Sequence, residues 1–392
     1  MDSGLHLVAG LDWGALPQNL ILAIGLGAVY ALIALGYTMV YGVLKLINFA
    51  HSEVFMLGAY TALFTSYWLG FSPEALQQAS RESNWLNLLM MLLASMVFCA
   101  VVGVIIEFFA YRPMRDQPRI ASLITAIGVS LLIQYGGALV LPVSPPPSIN
   151  EAVNPYRGSI PVQLIAQNPA LAAEAAKAKE AFDVADAAFQ EQMKAERSEF
   201  DLSPRGLELR TAKQVAERNY RTVRKKAEDS GRELSIPKGQ MIMFGTTVML
   251  MAVLTWLVLK TRTGRAMRAA SHDFDTASLM GISVNRIVTI TFIIGSALAG
   301  AGAMMQATFI GTPLTTFYAV SLGVKAFVAA VLGGIGNIPG AVLGGMLMAL
   351  AETLVVWMGK SEWKDAIAFV ILIVVLLFRP GGLLGSAKVE KV

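Results

Sequence analysis

Apolar residues in this chain run in blocks rather than alternating. Predominantly apolar runs lie near residues 16–44, 54–69, 86–110, 120–141, 241–259, 287–309, 341–358 and 366–378. Such runs point to membrane crossings, since a helix of roughly 20 apolar residues spans the hydrocarbon. A shorter run at 322–332 abuts a glycine-rich break. With no water to bond the backbone in hydrocarbon, each run must satisfy its own N–H and C=O groups, so the pattern predicts helices. The expected fold is all-α: a polytopic membrane bundle of about eight to nine transmembrane helices, interrupted by one soluble insertion.

That insertion is where the pattern changes. From 143 to 238 the chain becomes charged and alanine-rich, opening on Ser144-Pro-Pro-Pro147. Asn168-Pro169 and Ser203-Pro204 each offer a capping side chain followed by proline at the first helical position. Phe182, Phe189, Met193 and Phe200 recur at helical spacing in one arm, and Leu209, Ala216, Tyr220, Val223 and Ala227 in the other. A helical hairpin follows. The chain thus divides into membrane helices at 1–142, the hairpin at 143–238, membrane helices at 239–385 and a tail at 386–392.

Charge fixes the orientation. Tyr111-Arg-Pro-Met-Arg-Asp-Gln-Pro-Arg119 and Lys260-Thr-Arg-Thr-Gly-Arg-Ala-Met-Arg268 are basic loops between apolar runs, which the positive-inside rule places in the cytoplasm. Arg379, Lys388 and Lys391 add the C-terminus to that side. Residues 1–44 hold no Lys or Arg, and two crossings separate Lys45 from the first basic loop, so the N-terminus is expected outside. An outside start and an inside end need an odd count, and nine crossings result if the short run also crosses. The hairpin then lies outside, where long charged loops translocate readily.

Composition excludes several classes. The 392 residues are 55% hydrophobic and 15% charged, with a net charge of +4, so lipid is the main solvent. The basic residues flank apolar runs instead of forming one aromatic-laced face, which argues against nucleic acid. The three histidines, His6, His51 and His272, are scattered, and Cys99 is the single cysteine; neither a metal site nor a disulfide is expected. Gly359-Lys360-Ser361 resembles the end of a phosphate loop, but Leu354 stands where its first glycine belongs. The chain is expected to hold no cofactor and no ATP of its own.

Polar residues inside apolar runs carry the functional expectation, because an ionisable group in a span usually faces a cavity or the bundle interior. Asn48, His51 and Glu53 open the second span, Asn337 sits in a glycine–proline break, and Glu352 lies deep in its run. These are candidates for the translocation path, with helix capping as the other reading of the first three. Gly336, Gly340 and Gly344 fall four apart, a spacing for close helix packing. Between two spans, Arg265, Arg268 and His272 form a polar stripe and Met267, Ala270, Phe274 and Ala277 an apolar one, ending at Gly281. This amphipathic segment either lies on headgroups or docks into a partner.

Here the sequence resembles a known family. Gly264-Arg-Ala-Met-Arg-Ala269 followed by Asp273, Ala277 and Gly281 is similar to the coupling segment of ABC importer permeases of the branched-chain amino acid family. Ile47-Asn-Phe-Ala-His-Ser-Glu-Val54, Met56-Leu-Gly-Ala-Tyr60, the stretch Lys325-Ala-Phe-Val-Ala-Ala-Val-Leu-Gly-Gly-Ile-Gly-Asn-Ile-Pro-Gly340 and Phe378-Arg-Pro-Gly-Gly-Leu-Leu384 extend the match to the H-type subunit over most of 17–142 and 240–385. The family usually has glycine where Ser52 stands, and its loop is shorter than this hairpin. The resemblance implies a permease in a bacterial inner membrane whose residues 264–281 couple to ATPases. Its partners would be a second permease, two cytoplasmic ATPase subunits that bind ATP, an extracytoplasmic solute-binding protein and membrane lipid. A sister group for urea or short amides shares nearly all these motifs, and an ATP-independent channel or carrier is the reading from another class.

Overall fold

The computed structural model describes residues 15–78, 82–115, 117–165, 169–195, 203–230 and 232–385. Apart from the short helix Pro73–Gln78, its α-helices are α1 (Leu16–Leu44), α2 (His51–Ser66), α3 (Trp85–Ile106), α4 (Arg119–Val140), α5 (Pro169–Ala195), α6 (Pro204–Ser230), α7 (Lys238–Lys260), α8 (Arg262–His272), α9 (Phe274–Leu279), α10 (Val284–Met305), α11 (Tyr318–Gly333), α12 (Ile338–Trp357) and α13 (Ala366–Phe378). His6, the cap at Asn168, Phe200 and the tail bearing Lys388 and Lys391 lie outside the described residues. The chain forms two compact units, one of residues 1–158 and 237–392, the other of residues 159–236.

In the larger unit α1 is the central helix. No charged residue interrupts Leu16–Leu44, and Ala28 to Leu35 are all at most 1% exposed. A helix apolar all round belongs inside a bundle, and α1 packs against α7, α10, α11 and α12. The outward faces of α3 and α4 are equally apolar but bare, with Val97, Val101, Leu132, Leu139 and Val140 exposed. A surface of that kind is solvated by lipid tails.

Among the described residues seven helices are long and apolar enough to cross a membrane: α1, α2, α3, α4, α7, α10 and α12, with α2, α3 and α10 running on past their α-helical ends. The eighth run expected to cross, 366–378, is only the 13-residue α13, and the short run is the 16-residue α11. At 1.5 Å per residue these reach about 20 and 24 Å, less than the ~30 Å hydrocarbon core. Contacts fix the chain on either side of α11. Before it, the Tyr60 hydroxyl lies 3.0 Å from the Pro142 carbonyl, just past α4, and 3.2 Å from that of Leu314. After it, the carbonyls of Leu332 and Gly333 accept from Leu383 (2.8 Å) and Leu384 (3.1 Å). Residues 384–385 share one cavity with the end of α1, α8 and the start of α12. Hence α11 runs from the level where α4 ends to the level where α12 begins.

The smaller unit is the hairpin. Phe182 stacks on Tyr220 at 6.1 Å, and Lys213 pairs with Asp186 (2.6 Å) beneath Phe189. Moving up α5 means moving down α6, so the arms are antiparallel along the expected aromatic stripe. A two-stranded ribbon, β1 (Ser159–Ile165) with β2 (Arg232–Pro237), closes its base. This ribbon was not expected. Its signal is the alternation of Ile160, Val162 and Leu164 against Leu234 and Ile236, the period of a strand rather than a helix.

Candidate translocation path and coupling segment

The start of α2 buries its polar residues. Asn48, His51, Ser52 and Glu53 are each 7% exposed or less. The Asn48 side-chain Oδ1 accepts from the Ala50 amide (3.1 Å) and the Tyr111 hydroxyl (2.9 Å), so it both turns the chain into α2 and ties it to the turn that continues α3. Ser52 donates to Glu53 (2.8 Å). Its Cβ rests against Gly323 of α11: the small residue that tight packing needs stands on the neighbouring helix instead. His51 lies on Gly36 of α1 with its ring 4.7 Å from Tyr37, edge to face.

Glu352 belongs to a different polar group. It takes Lys325 Nζ at 2.7 Å and the Tyr30 hydroxyl at 2.6 Å, and Lys325 also reaches Asp365 at 2.6 Å. Helices α1, α11 and α12 thus meet on one buried ion pair, which Lys325 extends to the exposed Asp365 at the start of α13. Lys325 and Asp365 were not singled out, although Lys325 is the single charged residue of α11 and so carried the same signal as Glu352. A second unforeseen cluster centres on Glu107, fully buried, which accepts from Arg112 (3.0 Å), Arg115 and Thr289 (2.9 Å) and so fastens the end of α3 to α10.

Asn337 caps α12: its oxygen accepts from the Gly340 amide (3.0 Å) while its amide donates to the Leu384 carbonyl (2.7 Å). Fifteen positions along α12, about 22 Å at helical rise, separate it from Glu352. The five path candidates therefore do not converge on one lining. Phe327, two residues beyond Lys325, packs instead toward the α2 group, 6.0 Å from Tyr37 and 6.3 Å from Phe49.

The glycine stripe needs correction. Gly340 and Gly344 do bring α12 onto α11, close to the carbonyls of Gly333 and Ala329. Gly336 is not part of the stripe, because α12 begins only at Ile338 and Gly336 takes a left-handed turn (φ 96°) beside Gly42.

Between α7 and α10 the amphipathic segment forms two helices, not one. The Thr261 side chain caps α8 through the Gly264 amide (3.0 Å). Gly264 itself abuts the Val258 carbonyl, where any side chain would collide. Met267, Ala270 and Ala277 are buried, while Arg265, Ala269, Asp273 and Gly281 are exposed. Asp273 interrupts the helix in an extended conformation, and its carboxylate accepts from the amides of Asp275 (2.8 Å) and Thr276 (3.2 Å). The Thr276 amide and hydroxyl, with the Asp275 amide, hold that carboxyl below its usual range. Arg268 folds back to donate to the Val258 carbonyl at the end of α7. Leu279 and Met280 stand out at the tip, 88% and 79% exposed, an apolar pair that the periodicity did not distinguish.

A lipid-facing helical bundle with buried ion clusters and an exposed two-helix segment between spans defines a multi-pass membrane transport component. The comparisons with known proteins narrow this class. The family described as branched-chain amino acid transport system / permease component matches residues 19–376, and the chain belongs to it. Over 375 residues it is 33% identical to the high-affinity branched-chain amino acid transport system permease protein LivH of Escherichia coli (strain K12), covering 96% of this chain and 97% of that one. Over 377 residues it is 34% identical to the corresponding protein BraD of Pseudomonas aeruginosa, with the same coverage of 96% and 97%. A shorter similarity, 32% over 139 residues and 34% of this chain, links it to the autoinducer 2 import system permease protein LsrC of Shigella flexneri, 40% of which is covered. No solved structure matches.

Proposed function

We propose that this chain forms part of the translocation path of an ABC importer for branched-chain amino acids in a bacterial inner membrane. A second permease completes the path, two cytoplasmic ATPase subunits bind the ATP, and an extracytoplasmic binding protein delivers the solute. The observation that carries the reading is the α8–α9 segment, which offers an arginine and an apolar tip to a partner between two spans. ATP binding that favours one of two partner geometries would shift the spans between two states, since a ligand moves an equilibrium only by binding the states unequally. Uptake of leucine by the reconstituted importer, resisted by excess valine but not by urea, is the expected result. Urea uptake without leucine uptake would overturn the substrate assignment.

The basic residues near α8, Arg112 and Arg115 mark the cytoplasmic side. In this reading α11 and α13 complete nine crossings, the N-terminus and hairpin lie outside, and the C-terminus lies inside. Cys99 is buried, so an introduced cysteine reports alone. A cysteine replacing exposed Ala187 should react with an impermeant thiol reagent in intact cells, and one replacing exposed Ser278 only after lysis. The reverse labelling would invert the orientation.

A further inference from the structure

The junction between α10 and α11 holds buried polar groups that lack partners. The last turn of α10 continues as a π-helical turn, Gln306–Ile310, as the spans before it also do at 67–71 and 107–111, a form that recurs at functional sites. The chain then turns at Gly311 (φ 69°) and stays irregular through 312–317 before α11 begins. Irregular backbone at membrane depth persists only where protein or water receives its polar groups. Leu314 is received: its amide donates to the Pro147 carbonyl at 2.8 Å, and its carbonyl faces the Tyr60 hydroxyl. Four side-chain atoms nearby are not. Gln306 Oε1, the hydroxyls of Thr308 and Thr316, and the Tyr318 hydroxyl are buried without a hydrogen bond among the described residues. Gln306, Thr308 and Thr316 are 4%, 6% and 1% exposed. Thr316 lies against Gly137 of α4, and the Tyr318 ring is 6.2 Å from Phe55 of α2.

Buried polar atoms are ordinarily satisfied, and four exceptions within thirteen positions call for a cause. We propose that this junction is a hydrogen-bonding subsite for the passing solute, closed in the present conformation and opened in another state of the cycle. It would take the main-chain end of an α-amino acid. The Gln306 oxygen can only accept, which suits the ammonium, and the three hydroxyls can donate to the carboxylate. All four groups are neutral. That suits passage, because a conducting site must hold its solute firmly enough to admit it and loosely enough to release it, whereas the Lys325–Glu352 pair would grip a zwitterion as a competing ion pair. The proposal rests on the importer reading and assigns the place where the solute's main chain is met.

The test separates this role from a structural one by sign. Removing an unpaired buried hydroxyl without changing its shape is neutral or stabilising, so a purely structural role predicts normal uptake from Thr308→Val/Thr316→Val and from Tyr318→Phe. The subsite predicts instead that thermal unfolding stays equal or rises while leucine uptake into proteoliposomes of the assembled importer falls. The expected fall for the double variant is about thirtyfold, what two lost hydrogen bonds of ordinary worth amount to. Thr308→Ser/Thr316→Ser keeps both hydroxyls and should keep uptake. Normal uptake in the valine variant, or an equal loss in the serine variant, would overturn the subsite. Leucine uptake by wild type judges the importer reading separately.

Discussion

Replacing Lys325 with methionine is expected to destabilise the folded chain by about 3–5 kcal/mol, the range for stripping one partner from a buried ion pair. The loss is that large because Glu352 stays 7% exposed between α1 and α11, with the Tyr30 hydroxyl left as its donor. Exposed pairs contribute only about 0.2–1 kcal/mol, so a small effect would mean that the site is wet. Glu352→Gln should cost less, since Lys325 retains Asp365 at 2.6 Å and a neutral amide can still accept from Tyr30. The double variant Lys325→Met/Glu352→Leu should regain most of the loss, because a buried pair replaced by apolar groups of similar volume is often neutral. Thermal unfolding in nanodiscs measures all three. Equal stability of Lys325→Met and wild type would remove the cluster from any account of how α11, α12 and α13 are held.

What the sequence disclosed follows from how far each signal reaches along the chain. The spans were legible because an apolar block is a local property. The limits of the short ones were not: Ser321 breaks the apolar pattern of α11, so its run reads from 322 although the helix starts at Tyr318, and no composition reports that 366–378 stops short of a full crossing. Buried charges were visible as anomalies, but their partners were not. Glu107 meets Thr289, 182 positions away, and Glu352 meets Lys325 across the turn between two helices. The spacing of Gly336, Gly340 and Gly344 suggested one stripe because the helix start was unknown, although Asn337-Ile-Pro339 already had the form of a cap with proline in the first turn. Asp273 followed three positions later by Thr276 was likewise a cap signal inside what read as a single amphipathic helix. The glutamine, hydroxyls and phenol at 306–318 gave no signal, since neutral polar residues near a span's end are ordinary until the fold shows that they are buried and unpaired.

Arg265→Glu is expected to abolish most uptake while leaving the chain folded and abundant, and this single variant tests coupling better than reversal of both arginines. Arg268 donates to the Val258 carbonyl; a carboxylate there would face a carbonyl oxygen and release the end of α7, so its failure would say little about a partner. Arg265 is exposed one turn earlier on the same helix, and its side chain makes no hydrogen bond within the described residues. On a bare surface such a reversal would change stability by no more than about 0.5 kcal/mol. At a docked contact, truncating one member of a buried charge pair costs about 2–5 kcal/mol, so recruitment of the ATPases should fall by about thirtyfold or more. Leu279→Ser/Met280→Ser should act the same way if the apolar tip enters the same groove, and Arg265→Lys, which keeps the charge, should retain much of the uptake. The comparison is made at matched membrane abundance, with ATPase co-purification as the second readout. Full uptake and full co-purification in Arg265→Glu would mean that the arginine face of α8 does not meet the ATPases, and the force would have to enter through α9 or through another loop.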